Sequence, residues 1–150
     1  MPGCAGEVDM SSRTGDSTTS SRTRSLPAWR WASAILLLVM GGIHLYLVLF
    51  SGFDGLVGTL FVVNAIGALL LAVAMIAVPD RLLTIASLLS LLFTAGTLLA
   101  LVLSLVLPGG FLGVREQISA ELVPTTLVAE ALGALVLLGA TILAARLRRP

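Results

Sequence analysis

The sequence predicts an all-α integral membrane protein, an antiparallel four-helix bundle with a disordered N-terminal tail. Its mean hydropathy is +1.06, and only 11% of the 150 residues are charged. Four apolar segments, at about 31–50, 56–78, 82–107 and 122–145, carry this hydropathy. Each is long enough to cross a hydrocarbon core roughly 30 Å thick, at about 1.5 Å per residue. Helices this apolar present no polar face to water, which excludes a soluble domain.

Residues 1–28 differ in composition from the rest and are predicted to form a disordered cytoplasmic tail. Between Ser11 and Ser25, ten of the fifteen residues are Ser or Thr. Such a segment lacks the apolar surface that would offset the entropy lost on ordering. We interpret it as a topogenic and solubilising leader, with a phosphorylated regulatory tail as the alternative. The bundle then occupies residues 29–150.

The first two connections are short, which makes the helices that they join antiparallel neighbours. They are Ser-Gly-Phe-Asp-Gly at 51–55 and Pro-Asp-Arg at 79–81. Proline cannot continue a helix, so Pro79 is expected to stop the second one. Asp80 is expected to cap the third helix through its side chain.

The third connection, 108–121, is longer and is predicted to lie at the membrane interface as a short amphipathic turn. Ser119 is a candidate cap for the fourth helix, which would place Pro124 about one turn inside it, as a local distortion. Glu116 and Glu121 lie five positions apart in this connection. We expect both carboxylates to be solvated rather than to bind a cation.

The distribution of positive charge predicts the orientation of the bundle. All nine basic residues are arginines, and only Arg115 lies outside the stretch before the first span, the 79–81 connection and the C-terminal end. By the positive-inside rule, both termini of this multi-pass protein are on the cytoplasmic side of the cell membrane, and connections 51–55 and 108–121 face outward. The residues expected to anchor the bundle at the interface are Trp29, Arg30, Trp31, Arg81, Arg146, Arg148 and Arg149.

Small residues four positions apart recur in the last three spans and predict where helices pack. In lipid there is no hydrophobic drive between helices, so close approach through small residues assembles a bundle. The pairs are Ala68/Ala72, Ala86/Ser90, Gly96/Ala100, Ala129/Gly133 and Ala140/Ala144.

The most polar residues of the spans fall at one predicted depth. They are His44, Asn64 and Glu130, in the first, second and fourth spans, and Thr97 is a candidate from the third. At about 1.5 Å per residue, the first three lie roughly 9–12 Å below the outer face. A charge in hydrocarbon costs at least ~2.5–3.5 kcal/mol, so we expect Glu130 to face the bundle interior with His44 as its best partner.

Two interpretations of this polar layer stay open. In the first, it is a structural clamp that holds the helices in register. In the second, it is a protonatable site open to the outer face, which serves a proton relay, a cation-coupled step or a ligand. For His44 alone, we expect a hydrogen-bonded side chain rather than a haem or metal ligand. Haem with two axial histidines would require a homodimer, since the chain has a single His.

Several kinds of chemistry are disfavoured by the sequence. Cys4 is the only cysteine, which rules out an internal disulfide and CxxC redox chemistry. The chain has no glycine-rich phosphate loop, nucleophile elbow or zinc-ligand spacing. We therefore predict no catalytic residues, no cofactor and no metal site, and we do not expect an enzyme.

Three stretches of the chain form a pattern of their own: GGIHLYLVLFSGFDGLVGTLFVVNAIGALLLAV, an outer GGFLGVRE segment and LVAEALGALVLLGA in the last helix. Together they resemble small four-span actinobacterial membrane proteins of unassigned function. More loosely, the layout and the AEALGALVLLG run resemble DoxX-type membrane proteins, which implies an accessory role in a redox complex. The acidic residue of that family lies in an early helix, where this chain has Asn64.

Three functions follow as hypotheses. The first is an accessory or assembly component of a cytoplasmic-membrane complex. The alternative is a small proton-coupled transporter that works as a dimer through a buried His44/Glu130 site. The third is a quinone- or haem-associated redox protein. The expected partners are the lipid bilayer and either a larger membrane complex or a second copy of the chain, and nucleic acid is not expected.

Overall fold

The part of the chain that the structure describes forms four helices. The computed structural model describes residues 17–113, 115–120 and 122–147, with side chains from Leu26 onward. The helices are α1 (Ser17–Phe50), α2 (Gly55–Ala77), α3 (Asp80–Val106) and α4 (Val123–Leu147). Each contains a segment of 23 to 27 residues that is long and apolar enough to cross a membrane. This confirms the prediction of four helices of membrane-spanning length.

The first helix begins earlier than the sequence indicates. It starts at Ser17, inside the segment predicted to be disordered, while residues 1–16 of that segment lie outside the described residues. Extending an existing helix requires less ordering than starting one, so a polar segment can continue a stable apolar helix. Within the described side chains, the part of α1 that is long and apolar enough to cross a membrane is Leu26–Phe50.

The helices are arranged around an open seam. α1 packs against α2 on one side and against α4 on the other, and α3 packs mainly against α4. α2 and α3 contact each other least among these pairs. The order around the bundle is therefore α2, α1, α4 and α3, with the seam between the first and the last.

The apolar core fills the half of the bundle nearer the α2–α3 connection. Small residues let the helices approach closely there, as the pairs four apart predict. One pair departs from that prediction, because Gly96 and Ala100 line a cavity instead. The buried core consists of Ala34, Leu37, Met40, Ala68, Ala72, Met75, Leu83, Ala86, Leu137 and Ala144.

α1 approaches α2 closely at Gly41. A Cβ atom on Gly41 would lie 3.0 Å from the Ala68 Cβ and 3.3 Å from the Ala65 carbonyl oxygen. A Cβ on Gly42 would meet nothing within 4 Å. The two adjacent glycines therefore differ sharply in the space available to a side chain.

This difference predicts opposite effects of one substitution. Gly41→Leu should lower the free energy of unfolding by about 1–3 kcal/mol, because the helices must separate to admit the side chain. Gly42→Leu should leave it unchanged or raise it by up to ~1 kcal/mol, since leucine favours the helix. Unfolding in detergent micelles, followed by circular dichroism, measures both. Equal losses from the two variants would contradict the packing described here.

One end of the bundle is held by Arg30, near the start of the apolar part of α1. Its Nη2 donates to the Asp80 carboxylate at 2.7 Å, and its Nη1 donates to the Ile76 carbonyl oxygen at 3.3 Å. Trp29 beside it packs over Gly139 of α4, where an added Cβ would lie 2.7 Å from the indole ring. Arg30 and Trp29 therefore join helices, beyond the anchoring role that the sequence predicts for them.

The other predicted anchors and the predicted Asp80 cap have different outcomes. Trp31, Arg81 and Arg146 are exposed, whereas Arg148 and Arg149 lie outside the described residues.

The prediction that Asp80 caps α3 is wrong. Pro79 holds the cap position, and no side-chain cap bond forms there. The Asp80 carboxylate instead accepts the charge-assisted bond from Arg30, while it still lies in the first turn of the helix, where a negative charge is favoured.

The connection between α3 and α4 consists of turns and folds back onto α3. The Glu116 N–H donates to the Ser104 carbonyl oxygen at 3.2 Å, which satisfies one of the free carbonyls at that helix end. α4 begins at Val123, so Ser119 is not its cap. Pro124 lies in the first turn, where its missing N–H breaks no helical bond. The predicted distortion therefore does not arise.

Candidate functional site

A cavity of about 700 Å³ occupies the half of the bundle that the apolar core leaves open. All four helices and both connections at that end, 51–54 and 107–122, contribute to its lining. The volume lies within the ~300–1,000 Å³ typical of pockets for small organic ligands.

The four polar residues that the sequence places at one depth all line this cavity. His44 comes from α1, Asn64 from α2, Thr97 from α3 and Glu130 from α4. Glu130 is only 1% exposed and His44 only 6%. The structure therefore brings the predicted set together in one place, with one side chain from each helix.

His44 and Glu130 face each other across the bundle. The His44 Nε2 lies 3.9 Å from the Glu130 Oε1, just beyond hydrogen-bond distance. The His44 Nδ1 lies 2.9 Å from the Met40 carbonyl oxygen. A carbonyl can only accept, so Nδ1 carries a hydrogen and the neutral imidazole presents a lone pair at Nε2.

Two buried acceptors at the polar end of the cavity lack hydrogen-bond partners. The Glu130 Oε2 and the Asn64 Oδ1 are buried and receive no hydrogen bond. The Thr97 hydroxyl lies near Glu130, but it donates its hydrogen to the Thr94 carbonyl oxygen at 2.9 Å. Buried polar atoms normally have partners, so these open acceptors mark a place where a proton, a water molecule or a ligand is needed.

The walls of the cavity are apolar and strongly aromatic. Four of the five phenylalanines of the chain line it, and they are Phe53, Phe61, Phe93 and Phe111. The Phe61 ring lies edge-on to the His44 imidazole, with 5.2 Å between centroids, and the Phe53 ring lies 5.3 Å from Phe61. Two phenylalanines and a histidine thus form a continuous aromatic surface that ends at the His44–Glu130 pair.

Sequence reasoning misses several residues of this site. The sequence predicts a solvated Glu116, but this residue is half-buried and lines the cavity. Glu121, the other carboxylate of that prediction, lies outside the described residues. The phenylalanines give no signal, because aromatic residues in apolar spans do not reveal which side they face. Only the folding of the third connection places Glu116 at the site, and no local motif encodes it.

No protein-family model, curated protein or solved structure gives a significant match to this chain. The resemblance to actinobacterial four-span proteins and to DoxX-type proteins therefore stays an expectation. The case for a function rests on the cavity and on the side chains that line it.

Proposed function

We propose that this chain is a small proton-coupled carrier of the cytoplasmic membrane that binds an organic molecule in the cavity. One observation carries the proposal: a polar side chain from each of the four helices meets the others in a single apolar cavity of about 700 Å³. A clamp that only held helices in register would be expected to pair its own polar atoms and to enclose little free space.

The arginine distribution supports an orientation for this carrier. With both termini in the cytoplasm, as the arginines predict, the cavity occupies the outer half of the bundle and the apolar core occupies the cytoplasmic half. We take this arrangement as the outward-facing state of the carrier. A path to the other side then requires a rearrangement of the helices or a second copy of the chain.

The His44–Glu130 pair supplies the coupling. An isolated carboxylate in hydrocarbon is unfavourable by at least ~2.5–3.5 kcal/mol, so the pair holds a proton when the cavity is empty. Because the two groups are close and buried together, that proton belongs to the pair rather than to either residue. A ligand that meets the open acceptors competes with this proton, and such competition links ligand movement to proton movement.

A flux experiment tests the carrier function with probes of defined charge in place of the natural ligand. Proteoliposomes that hold an internal pH dye and an inside-acid gradient are exposed to three aromatic probes of fixed charge. The probes are dibenzyldimethylammonium, its neutral isostere dibenzyldimethylsilane and the anion diphenylmethanesulfonate. None of them carries protons across lipid by itself. We expect at least one probe to evoke proton movement above that in protein-free liposomes. If none of the three does so, the proposal is overturned.

An accessory role in a larger membrane complex is the second candidate, favoured by the open seam between α2 and α3. Apolar residues on both sides of the seam are exposed, including Leu60, Val63 and Leu92. A helix of a partner protein would cover them. Native mass determination in lipid nanodiscs separates the candidates, because an accessory subunit should be isolated with a defined larger partner, and a carrier should be isolated alone or as a homodimer.

A further inference from the structure

The inference concerns the chemical class of the ligand and rests on the proposed function. We propose that the cavity binds a hydrophobic organic cation, an ammonium that carries aromatic or branched alkyl groups, and that this cation reaches Glu130 through the seam between α2 and α3. Charge, hydrogen-bonding capacity, wall chemistry and access each support this class.

The ionisable residues of the lining favour a positive ligand. They are Glu130 from α4, Glu116 from the third connection and His44 from α1. α2 and α3 contribute no ionisable side chain to the described lining, and no arginine belongs to it. Two carboxylates without a fixed cation make this an attractive place for a positive charge in a low-dielectric surrounding.

The open hydrogen-bonding positions also favour a cation over an anion. The Glu130 Oε2 and the Asn64 Oδ1 lack donors, and the neutral His44 turns the lone pair of Nε2 towards Glu130. All three atoms carry negative partial charge once the pair has released its proton. A carboxylate or phosphate would face repulsion from each of them, whereas an ammonium group would be attracted by all three.

The aromatic walls fit the body of such a cation. Phe61 lies against His44, and Phe53 continues this surface away from the pair. A cation within about 6 Å of an aromatic ring face is attracted by the ring quadrupole, and more strongly where water is excluded. Aromatic or branched alkyl groups on the nitrogen would also fill the apolar volume, since the cavity is far larger than a bare ammonium ion.

The seam gives a hydrophobic cation a route from the bilayer. Leu60 and Val63 on α2 and Leu92 on α3 line the cavity and are also exposed on the bundle surface. A Cβ on Gly96 of α3 would meet nothing within 4 Å, so the backbone leaves an opening at this point. A molecule dissolved at the membrane interface can therefore enter sideways, with its charge directed towards Glu130.

Binding then exchanges one charge for another at the pair. In the empty cavity the His44–Glu130 pair holds one proton more than in the occupied cavity. The ammonium brings its positive charge to the carboxylate, the extra proton leaves to the outer solution, and the net charge of the site is unchanged. The exchange needs no further reactant.

The test compares dibenzyldimethylammonium with dibenzyldimethylsilane, which has the same shape and no charge. Both are radiolabelled, and their binding to the full chain in lipid nanodiscs is measured after subtraction of binding to empty nanodiscs. We expect the ammonium to bind at least about tenfold more tightly than the silane, because a charge-assisted contact to Glu130 is lost in the silane. Glu130→Gln should lower the affinity for the ammonium by a similar factor and leave the silane unaffected.

The possible results separate the two proposals. Equal affinities for the isosteres, or an ammonium affinity that Glu130→Gln does not change, would overturn the cation inference. The carrier function would survive if the silane or the sulfonate evoked proton movement in proteoliposomes. If the ammonium binds as expected and no probe evokes proton movement, the cation site stands and the carrier function fails.

A Glu130→Gln chain that does not fold is replaced by Glu130→Met, which removes the charge and keeps the side-chain volume.

Discussion

Glu130→Gln is expected to reduce ligand-evoked proton movement at least about a hundredfold, while the protein still folds. Glutamine keeps the size and the hydrogen-bonding capacity of the side chain but cannot hold or release the proton. His44 alone does not replace it, because a proton on its Nε2 would leave an unpaired positive charge in hydrocarbon once the Glu130 carboxylate is gone. The flux assay in proteoliposomes, with whichever probe is active in the unmodified chain, measures the loss.

A matched control for this variant is Asp54→Asn. Asp54 lies at the same end of the bundle, is exposed, does not line the cavity and makes no side-chain cap bond to α2. Its substitution removes one negative charge near the opening without touching the site, and proton movement should persist. Full activity in Glu130→Gln would contradict the carrier proposal and favour the structural clamp, for which bulk and hydrogen bonding are sufficient.

Gly96→Leu is expected to weaken ligand binding without destabilising the bundle. The position lines the cavity, and a Cβ there meets no atom within 4 Å, so the leucine side chain extends into free space. Binding of the active probe should weaken at least about tenfold, because the added side chain competes for the volume that the ligand occupies. The free energy of unfolding should be equal or higher, since leucine is a better helix former than glycine.

Gly42→Leu is the matched control for the cavity-filling variant. It makes the same change in a helix, also in open space, but at a position that does not line the cavity. Binding and stability should both be close to those of the unmodified chain. If Gly96→Leu and Gly42→Leu bind the probe equally well, the ligand does not occupy this cavity.

Much of the architecture could be predicted because it follows from length and composition. A run of more than twenty apolar residues has few alternatives to a membrane-spanning helix. The short 51–55 connection correctly predicts that α1 packs against α2, whereas α2 and α3 make few contacts although their connection is also short. The polar layer could be predicted from counting along the helices, because His44, Asn64 and Glu130 lie at similar distances from the span ends. Their convergence in one cavity required that they also face inward, and the high cost of burying charge in lipid makes that orientation the favoured one.

The cavity itself could not be predicted, because it depends on how tightly particular helices pack. Gly96 and Ala100 have the same spacing as the pairs that close the core, yet they line open space where α2 and α3 separate. The ion pair of Asp80 could not be predicted from its neighbours in the sequence, because its partner Arg30 is fifty positions away. Spacing identifies residues that permit close contact, and only the three-dimensional arrangement decides which of them achieve it.

The most direct measurement counts the protons released when dibenzyldimethylammonium binds to the full chain in lipid nanodiscs. A weakly buffered solution with a pH dye reports the release, and the probe contributes no proton because its charge is permanent. The account predicts about one proton for each bound ligand in the unmodified chain and none in Glu130→Gln, because the His44–Glu130 pair is the source. Saturable binding without proton release from the unmodified chain would contradict it.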